Sequence, residues 1–384
     1  MKHPSPVFVL ALSALAIFLA SCDAFKTAAP EPAQPPAAPL TTLTLEGTTY
    51  RVTGPHNHEN LAVYLLHADK QDPREFITLD EGLKSGEVKV TEKTSEQVNE
   101  LLLQNDSTKS LFLHEGDRVR GGKQDRTIFT SFVVAPKSAP QPLPSFCIEH
   151  NRWTEGAAGR QFQATGNAAL APKEVRAAAK VGKDQSQVWE NVAQQKASAN
   201  ANLAAPNTNS SLNETLDAPK VKAISDACAK ALSGAIDAPA DAVGIAIAIN
   251  GKIEEVDIYP NHAVLTKISP RLLESYAISA AQVKKDAKAA QALEAKAIAE
   301  FVASGQEKSK REEQINPGNS LKVSNFDNAK STCTTTYNGK LVHVQALSNV
   351  DAKVQSAAAR APGNPNNNED RQIRQQQAQP VPAH

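Results

Sequence analysis

Two apolar strands joined by an Asn-Gly pair constrain the fold more than any other feature of this sequence. The segment AVGIAIAINGKIEEVDIY turns at Asn250-Gly251. Asn-Gly favours a tight turn whose twist matches that of two paired strands, so the segment predicts an antiparallel hairpin. A second pair, Asn338-Gly339, predicts another hairpin within TCTTTYNGKLVHVQAL. The domain is therefore expected to contain antiparallel sheet.

The order of the other elements favours the α+β class. The first half is strand-rich, with apolar or alternating runs such as NLAVYLL, SLFLH, TIFTSFVVAP and SFCIEH, and one short helix ending at Gly86. The second half mixes the hairpins with helices predicted at QSQVWENVAQQKAS, Leu265–Tyr276 and Ala280–Ala303. A regular alternation of strand and helix is missing, which argues against a doubly wound sheet.

The N-terminus predicts export and lipidation. An apolar run from Val7 to Ala20 ends in Leu19-Ala20-Ser21-Cys22, which has the pattern of a lipobox. The run is too short for a stable membrane-spanning helix. Residues 1–21 are therefore predicted to be a lipoprotein signal peptide. Cys22 would carry the lipid and anchor the protein to a membrane of the bacterial cell envelope, facing the extracytoplasmic side; which membrane is left open.

Composition divides the rest of the chain into three parts. Residues 22–40 are rich in Pro and Ala and are predicted to form a linker. Residues 41–350 are expected to form the α+β domain, with a polar loop at Ser198–Thr215. Residues 351–384 are rich in Gln, Pro and Asn, and such a segment cannot bury enough apolar surface to fold.

Charge and cysteine content exclude several classes of function. The chain has 41 basic and 41 acidic residues and 5% aromatic residues, which argues against nucleic-acid binding. No Cys/His cluster has metal-ligand spacing, so neither a metal nor a cofactor is predicted; His56 and His58 would need further ligands. Besides Cys22 the chain has three cysteines, Cys147, Cys228 and Cys333. This odd number allows one disulfide at most.

The stretch HEGDRVRGGKQDRTIF, His114 to Phe129, is the strongest candidate for a functional loop. Gly116 and Gly121 have the spacing of a nucleotide-binding phosphate loop. Gly122 stands where that loop needs lysine, and Gln124 replaces the hydroxyl residue that binds magnesium. The stretch also leads into a strand instead of a helix. These departures exclude a P-loop nucleotidase.

Several motifs in one order resemble the ARG and rhodanese–phosphatase-superfamily-associated protein domain family. They are GDRVRGGKQDRT, CIEHNRW, QVWENV, GIAIAINGKIEEVDIYPNHAVLTKISPRLLESYA and LVHVQAL, and the resemblance covers Leu40 to Leu347. It implies a role connected with ADP-ribose or NAD metabolism, because the family is associated in genomes with ADP-ribosylglycohydrolases and phosphatase-like proteins.

The resemblance also implies a set of site residues, in three groups along the chain. The loop contributes Glu115, Gly121, Gly122, Lys123, Gln124 and Arg126, the following strand Cys147, Glu149, Arg152 and Trp153, and the late strand His343. All of these except Cys147 are predicted to contact ligand. Asp125 replaces the usual Asn of the loop motif, and His150-Asn151 replaces Gln-Gly.

Three hypotheses follow for function. The first is a module that binds a small polar or anionic ligand through the cationic side chains and Trp153. Its structural alternative is an ion pair between Glu115 or Glu149 and Arg126 or Arg152 that only stabilises the hairpin. The second is a phosphoester or glycosidic hydrolase with Glu115 or Glu149 as general base.

The third hypothesis is a structural envelope lipoprotein. Its tail and the exposed charged helix face that carries Glu294, Lys296 and Glu300 would contact other proteins, which the sequence does not identify.

Overall fold

The computed structural model describes residues 41–93, 100–149, 161–166, 168–206 and 211–350. The predicted signal peptide, Cys22, the linker, Arg152, Trp153 and the predicted tail lie outside these residues. Within them, no helix has both the length and the apolar character needed to cross a bilayer.

The described part of the chain mixes strands and helices throughout, as the α+β prediction requires. The strands are β1 (Thr42–Leu45), β2 (Thr48–His58), β3 (Leu61–His67), β4 (Phe76–Thr78), β5 (Val88–Glu92), β6 (Glu100–Asn105), β7 (Ser110–Leu113), β8 (Arg118–Arg120), β9 (Arg126–Ile128), β10 (Phe132–Val134), β11 (Ser138–Cys147), β12 (Gln163–Ala164), β13 (Ala242–Ile249), β14 (Lys252–Ile258), β15 (Glu307–Asn316), β16 (Asn319–Phe326), β17 (Ser331–Tyr337) and β18 (Lys340–Leu347). The helices are α1 (Leu79–Ser85), α2 (Lys173–Ala177), a π-helical turn (Ala178–Gly182), α3 (Gln185–Leu203), α4 (Leu212–Leu216), α5 (Pro219–Asp237), α6 (His262–Ala281), α7 (Ala287–Ala292) and α8 (Ala295–Ala303).

A nine-stranded antiparallel sheet organises the domain, in the order β1-β2-β3-β13-β14-β18-β17-β16-β15. Both predicted Asn-Gly hairpins are present, joining β13 to β14 and β17 to β18. All four turn residues have positive φ, from 49° at Asn250 to 74° at Gly251 and Gly339. This is the geometry that makes Asn-Gly favourable in a two-residue hairpin turn.

Both faces of the large sheet are covered in its centre, which explains why β3 and β13 are apolar at nearly every position. On one face, Leu61 and Ile245 belong to a core cluster that contains Leu265 of α6. On the other face, Ala62 and Ala246 share a cluster with Ile298 of α8. The long helix α5 lies beside α6 and adds Cys228, Leu232 and Ile236 to the first cluster.

Two smaller sheets complete the first half of the domain. One has the order β10-β7-β4 and includes the parallel pair β4–β7. The other has the order β12-β8-β9-β11-β6-β5. Asn319 on β16 connects the large sheet to β10: its amide group donates to the Val133 carbonyl at 2.7 Å and accepts from the Val133 amide at 2.9 Å. The buried side chain of Asn319 thus makes the two hydrogen bonds with the Val133 backbone that a neighbouring strand would otherwise make.

The predicted long helix Ala280–Ala303 is interrupted, forming the end of α6 and the separate helices α7 and α8. The side chain of Asn250, in the first hairpin turn, donates to the Lys284 carbonyl at 3.0 Å and accepts from the Asp286 amide at 2.7 Å. The hydroxyl of Tyr64 donates to the carbonyl of Leu293, whose backbone is extended. These contacts from the sheet override local helix propensity.

The predicted polar loop Ser198–Thr215 is also partly helical. Helix α3 continues to Leu203, and α4 begins at Leu212 with the Ser211 hydroxyl accepting a bond from the Glu214 amide. Leu203 and Leu212 are both buried in a core cluster, so tertiary packing supplies the stability that the polar sequence lacks.

Candidate functional site

The family motif Gly121–Arg126 lies in a hairpin loop between β8 and β9, where Val119 pairs with Arg126. Gly121 and Gly122 both have positive φ, 119° and 59°. A Cβ atom on Gly122 would lie 2.3 Å from Cζ of Phe162 and 2.5 Å from Oε1 of Glu92. Glycine is therefore required here by both the backbone conformation and the available space.

Three backbone amides of this loop are bound by carboxylates of the protein itself. The Gly121 amide donates to Oδ1 of Asp125 at 3.0 Å, and the Lys123 amide donates to Oε1 of Glu92 at 2.7 Å. The Asp125 amide donates to Oε2 of Glu149 at 3.1 Å. Loop amides of this kind form anion-binding concavities. Because internal carboxylates accept these bonds, the three amides are not available to bind an external phosphate.

Asp125 links the loop to helix α4. Its Oδ2 accepts hydrogen bonds from the Ser211 hydroxyl at 3.1 Å and from Nδ2 of Asn213 at 2.8 Å. With the Gly121 amide, three donors converge on this buried side chain. A carboxylate is an acceptor at both oxygens, which explains how this chain accommodates Asp where the family motif has Asn.

Arg126 is the buried cation of the loop, and its hydrogen bonding is incomplete among the described residues. One terminal nitrogen donates to the Gln124 carbonyl at 2.6 Å, and the other lies 3.7 Å from Oε1 of Glu92. Nε of Arg126 and Oε1 of Gln124 are buried and have no partner within the described ranges. A buried polar atom without a partner is costly. These two atoms therefore mark a place where a further polar group would be stabilising.

A second group of polar residues lies between the large sheet and the π-helical turn, and we call it the central polar cluster. None of its members exposes more than 2% of its surface. Its members are His114, Glu115, Arg176, Lys180, Glu255, Asp257, Tyr259, Tyr276, His343 and Gln345.

The topology of the large sheet builds the central polar cluster. Glu255 and Asp257 lie two residues apart on β14, so their side chains point to the same face of the sheet. Asp257 pairs with Gln345 in the neighbouring strand β18, which also carries His343. Helix α2 and the π-helical turn bring Arg176 and Lys180 over this face. Three segments far apart in the sequence thus meet at one buried position: β14, β18, and α2 with the π-helical turn that follows it.

Two cations and two carboxylates form the charged part of the central polar cluster. The guanidinium of Arg176 donates to both oxygens of Glu255, at 2.6 and 2.5 Å, and lies 3.3 Å from Oε1 of Glu115. Lys180 donates to Glu115 and to Gln345. Burial alone would raise the pKa of Glu255, but the charge and hydrogen bonds of Arg176 lower it to about 2.

Two histidines and an aspartate form the remaining part. Nε2 of His343 lies 3.0 Å from Oδ1 of Asp257, and Nε2 of His114 lies 3.1 Å from the Tyr259 hydroxyl. Burial lowers the pKa of both histidines well below its ordinary value, so both rings are neutral. Burial and the neighbouring charge of Glu255 raise the pKa of Asp257 well above the usual range.

The structure divides the predicted ligand-binding residues between these two places. Glu115 and His343 belong to the central polar cluster, where Nδ1 of His343 lies 4.0 Å from Oε2 of Glu115. The hairpin loop and its surroundings contain the other six described candidates: Gly121, Gly122, Lys123, Gln124, Arg126 and Glu149. Glu115 pairs with Arg176 and Lys180 and not with Arg126, which pairs with Glu92. The predicted ion pairs of Arg152 lie outside the described residues.

Most members of the central polar cluster were not predicted from the sequence. A signal was present on β14, where Glu255 and Asp257 stand two residues apart and flank Val256 in the apolar part of the strand, EVDI. Arg176 and Lys180 interrupt the small apolar run EVRAAAKVG in a similar way. Charged residues at positions that pattern as core indicate a buried ion network.

Two cavities lie elsewhere on the domain. One, of about 420 Å³, lies between α5 and α6 and is lined mainly by small apolar side chains together with the thiol of Cys228. The other, of about 220 Å³, is a polar groove beside α3, lined by Gln187, Asn191 and Gln194 among others. The eight predicted ligand-binding residues that the structure describes do not line either cavity.

Together, the fold and these sites define a mixed α+β domain with two features: a hairpin loop whose backbone amides are bound by carboxylates of the protein, and a buried ion network. The family profile of the ARG and Rhodanese-Phosphatase-superfamily-associated Protein domain matches residues 49–347, and the chain belongs to this family. Comparison with curated proteins gives no significant match, and neither does comparison with solved structures.

Proposed function

We propose that this chain is a lipid-anchored extracytoplasmic protein whose domain binds a small polar or anionic ligand beside Arg126. The supporting observation is the pair of buried atoms, Nε of Arg126 and Oε1 of Gln124, that lack partners among the described residues. A buried donor and a buried acceptor, both without a partner and two residues apart in one loop, are a typical feature of a specific polar binding site.

The chemistry of the loop restricts what such a ligand contains. It needs an acceptor for the Nε–H of Arg126 and a donor for Oε1 of Gln124, a combination found in a phosphate that carries free hydroxyl groups. Among the described residues, the carboxylate within ion-pair distance of the guanidinium of Arg126 is that of Glu92, at 3.7 Å, which leaves room for a second anion partner. Arg152 and Trp153 are the predicted further contacts. The genomic association of the family makes ADP-ribose the first compound to test.

Ligand titration of the full mature chain tests this proposal. ADP-ribose, NAD and ribose 5-phosphate are added in turn, and the melting temperature and the heat of binding are measured. We expect one of them to raise the melting temperature of the wild type and to bind Arg126→Lys at least about tenfold more weakly, since lysine lacks the forked donor. Arg120→Lys is the matched control, because Arg120 is about half exposed and pairs with Asp217 at 2.6 Å.

Two results would reject the binding proposal. The first is that none of the three compounds changes the melting temperature of the wild type. The second is that Arg126→Lys, while folded, binds as tightly as Arg120→Lys.

The lipid anchor rests on the lipobox and is tested separately. Cells expressing the wild type or Cys22→Ser are fed an alkyne-tagged fatty acid, and the label on the protein and its distribution between membrane and soluble fractions are compared. We expect label and membrane association in the wild type only. Label that persists in Cys22→Ser, or is missing from the wild type, would reject lipidation at this cysteine.

The hydrolase hypothesis has weaker support. Both oxygens of Glu115 are engaged, by Arg176 and by Lys180, and Oε2 of Glu149 accepts the Asp125 amide. A general base needs an oxygen that can reach substrate.

The structural-lipoprotein hypothesis has its own test, a pull-down of partner proteins with and without residues 352–384. In support of a solvated helix face, Lys296 and Glu300 on α8 are largely exposed.

A further inference from the structure

Three side chains of the central polar cluster present metal-ligating atoms to one another. His114, Asp257 and His343 each offer one such atom, and the three atoms lie within 4.8 Å of one another. Ligands around a bound Zn²⁺ lie about 2.0–2.2 Å from the ion, and hence roughly 3–4 Å apart. The upper bound on the separation of the three atoms is therefore about 1 Å beyond the spacing of ligands on one ion.

The orientation of His114 is fixed in the manner of a metal ligand. Its Nδ1 lies 2.6 Å from the carbonyl oxygen of Glu115. A carbonyl only accepts, so Nδ1 carries the proton and the lone pair of the neutral ring is on Nε2. A hydrogen bond from the second ring nitrogen to a backbone carbonyl is the usual outer-shell support of metal-binding histidines.

Asp257 provides a second, independent observation. Its Oδ2 is buried and accepts no hydrogen bond from an N–H or O–H donor of the described residues, and the carboxyl group itself lies against that of Glu255. Oδ1 of Asp257 lies 3.0 Å from His343. Carboxylate oxygens without a donor are rarely buried unless a cation or a proton compensates them.

The charges around the three residues are compatible with a divalent cation. Glu115 and Glu255 are paired with Lys180 and Arg176, which leaves Asp257 as the third acidic side chain of the cluster and the one without a cationic partner among the described residues. Arg176 and Lys180 are each hydrogen-bonded to a glutamate, so their charges are largely neutralised by those partners. Asp257 lies closer to His343 than Glu115 does, with Oδ1 at 3.0 Å from Nε2, compared with 4.0 Å between Oε2 of Glu115 and Nδ1.

We propose that His114, Asp257 and His343 bind one divalent first-row transition-metal ion, such as Zn²⁺, inside the domain. Two imidazoles and one carboxylate are a donor set that suits Zn²⁺, Fe²⁺ or Co²⁺ and disfavours Mg²⁺ or Ca²⁺, which prefer oxygen ligands. The Tyr259 hydroxyl, 3.1 Å from His114, lies where an outer-shell group or an additional ligand would be. The site is independent of the ligand proposed at Arg126.

The burial of all three ligands determines how the experiment is done. Because none of the three is exposed by more than 1%, the ion enters when the chain folds. The mature chain is unfolded in guanidinium chloride with EDTA, freed of metal, and refolded with and without Co²⁺. We expect one Co²⁺ per chain, visible absorption bands of a four- or five-coordinate ion, and magnetic-resonance couplings from two imidazole nitrogens.

Variants assign the bound ion to these residues. Asp257→Asn keeps the shape of the side chain and is expected to weaken Co²⁺ binding more than ~100-fold, since loss of outer-shell partners alone costs about 10–100-fold. His67→Gln is the matched control: Nδ1 of His67 lies 2.8 Å from Asp241, a histidine–aspartate pair that is not part of a three-residue group of metal-ligating side chains among the described residues. It should bind Co²⁺ like the wild type.

Two outcomes would overturn the metal site. One is a wild-type chain that refolds to the same melting temperature with or without Co²⁺ or Zn²⁺ and retains neither ion. A proton, and not a metal ion, would then neutralise the buried Asp257. The other is binding that survives in Asp257→Asn but is lost in His58→Gln, which would assign the ion to the β2 histidines. The imidazole couplings are read on the unmodified chain, so the decision does not depend on any variant folding.

Discussion

Arg176 and Glu255 meet inside the domain through two parallel hydrogen bonds, and neither side chain exposes more than 1% of its surface. Arg176→Met would leave Glu255 charged and buried without its main partner. Breaking a buried pair in this way costs about 3–5 kcal/mol of unfolding free energy. Urea unfolding monitored by circular dichroism measures that loss.

Two comparisons control the Arg176 prediction. Lys296→Met removes the exposed pair with Glu300, which is solvated and is worth about 0.3–0.5 kcal/mol. The double variant Arg176→Met/Glu255→Met is expected to recover part of the loss, because no unpaired charge remains. An Arg176→Met chain as stable as Lys296→Met would contradict the buried ion pair.

Gly116 is predicted to tolerate no side chain. It has φ of +78°, and a Cβ would lie 2.4 Å from Cδ of Arg176. Gly116→Ala therefore combines backbone strain of about 1–2 kcal/mol with overpacking of about 1–3 kcal/mol. Gly86, with φ of +75° and open space around it, isolates the strain alone. If Gly86→Ala and Gly116→Ala lower the unfolding free energy equally, the close approach of Arg176 is wrong.

Glu274 on α6 is predicted to make stability depend on pH. Burial raises its pKa to about 7. The positive charge of Lys222 lowers the pKa and the negative charge of Asp226 raises it, while Arg271 and Arg118 lower it to a smaller extent. Between the ordinary pKa of 4.5 and about 7, the folded state keeps a proton that the unfolded state has lost. Unfolding then releases that proton, so the free energy of unfolding falls as pH rises through this window.

Glu274→Gln should remove this part of the pH dependence. The variant is uncharged at every pH, so its stability relative to the wild type is expected to be higher at pH 8 than at pH 5. Urea unfolding at the two pH values measures the difference, with the exposed Glu300→Gln as control. Parallel pH profiles for wild type and Glu274→Gln would contradict the prediction.

The three cysteines of the described domain are predicted to be unreactive thiols. Cys147, Cys228 and Cys333 are all buried and free. Burial raises the pKa of Cys228 to about 12 and that of Cys333 to about 11, so little thiolate exists at pH 8. In a Cys22→Ser chain, Ellman's reagent should react slowly with the folded protein and rapidly with three thiols in guanidinium chloride. Fast reaction in the folded state would show that a thiol is accessible.

Local signals in the sequence were sufficient for parts of the fold. The hairpin turns at Asn250 and Asn338 and the helix end at Gly86 follow from backbone preferences of one or two residues, and all three are present. The interruption between α6 and α8 was not predictable in this way, because it depends on Tyr64 and Asn250, which contact that segment from the sheet.

The site was less predictable than the fold for the same reason. The family motif located the hairpin loop, whose residues are consecutive. The neighbourhood of His114, Asp257 and His343 arises only when β14 pairs with β18 and β7 leads into the cluster, a result of long-range topology. Charged residues on apolar strands indicate that such a network exists, but the partner of each residue is fixed by tertiary structure.

The π-helical turn at Ala178–Gly182 has a consequence for the length of this part of the chain. A π turn closes over one residue more than an α turn, so this segment holds one residue more than an α-helical turn would. Deleting a single residue here would restore an α-helix and rotate Lys180 by about 100° relative to Arg176. Insertions and deletions should therefore be rarer in this segment among relatives than in the surface loops, a pattern that an alignment can reveal without any biochemical assay.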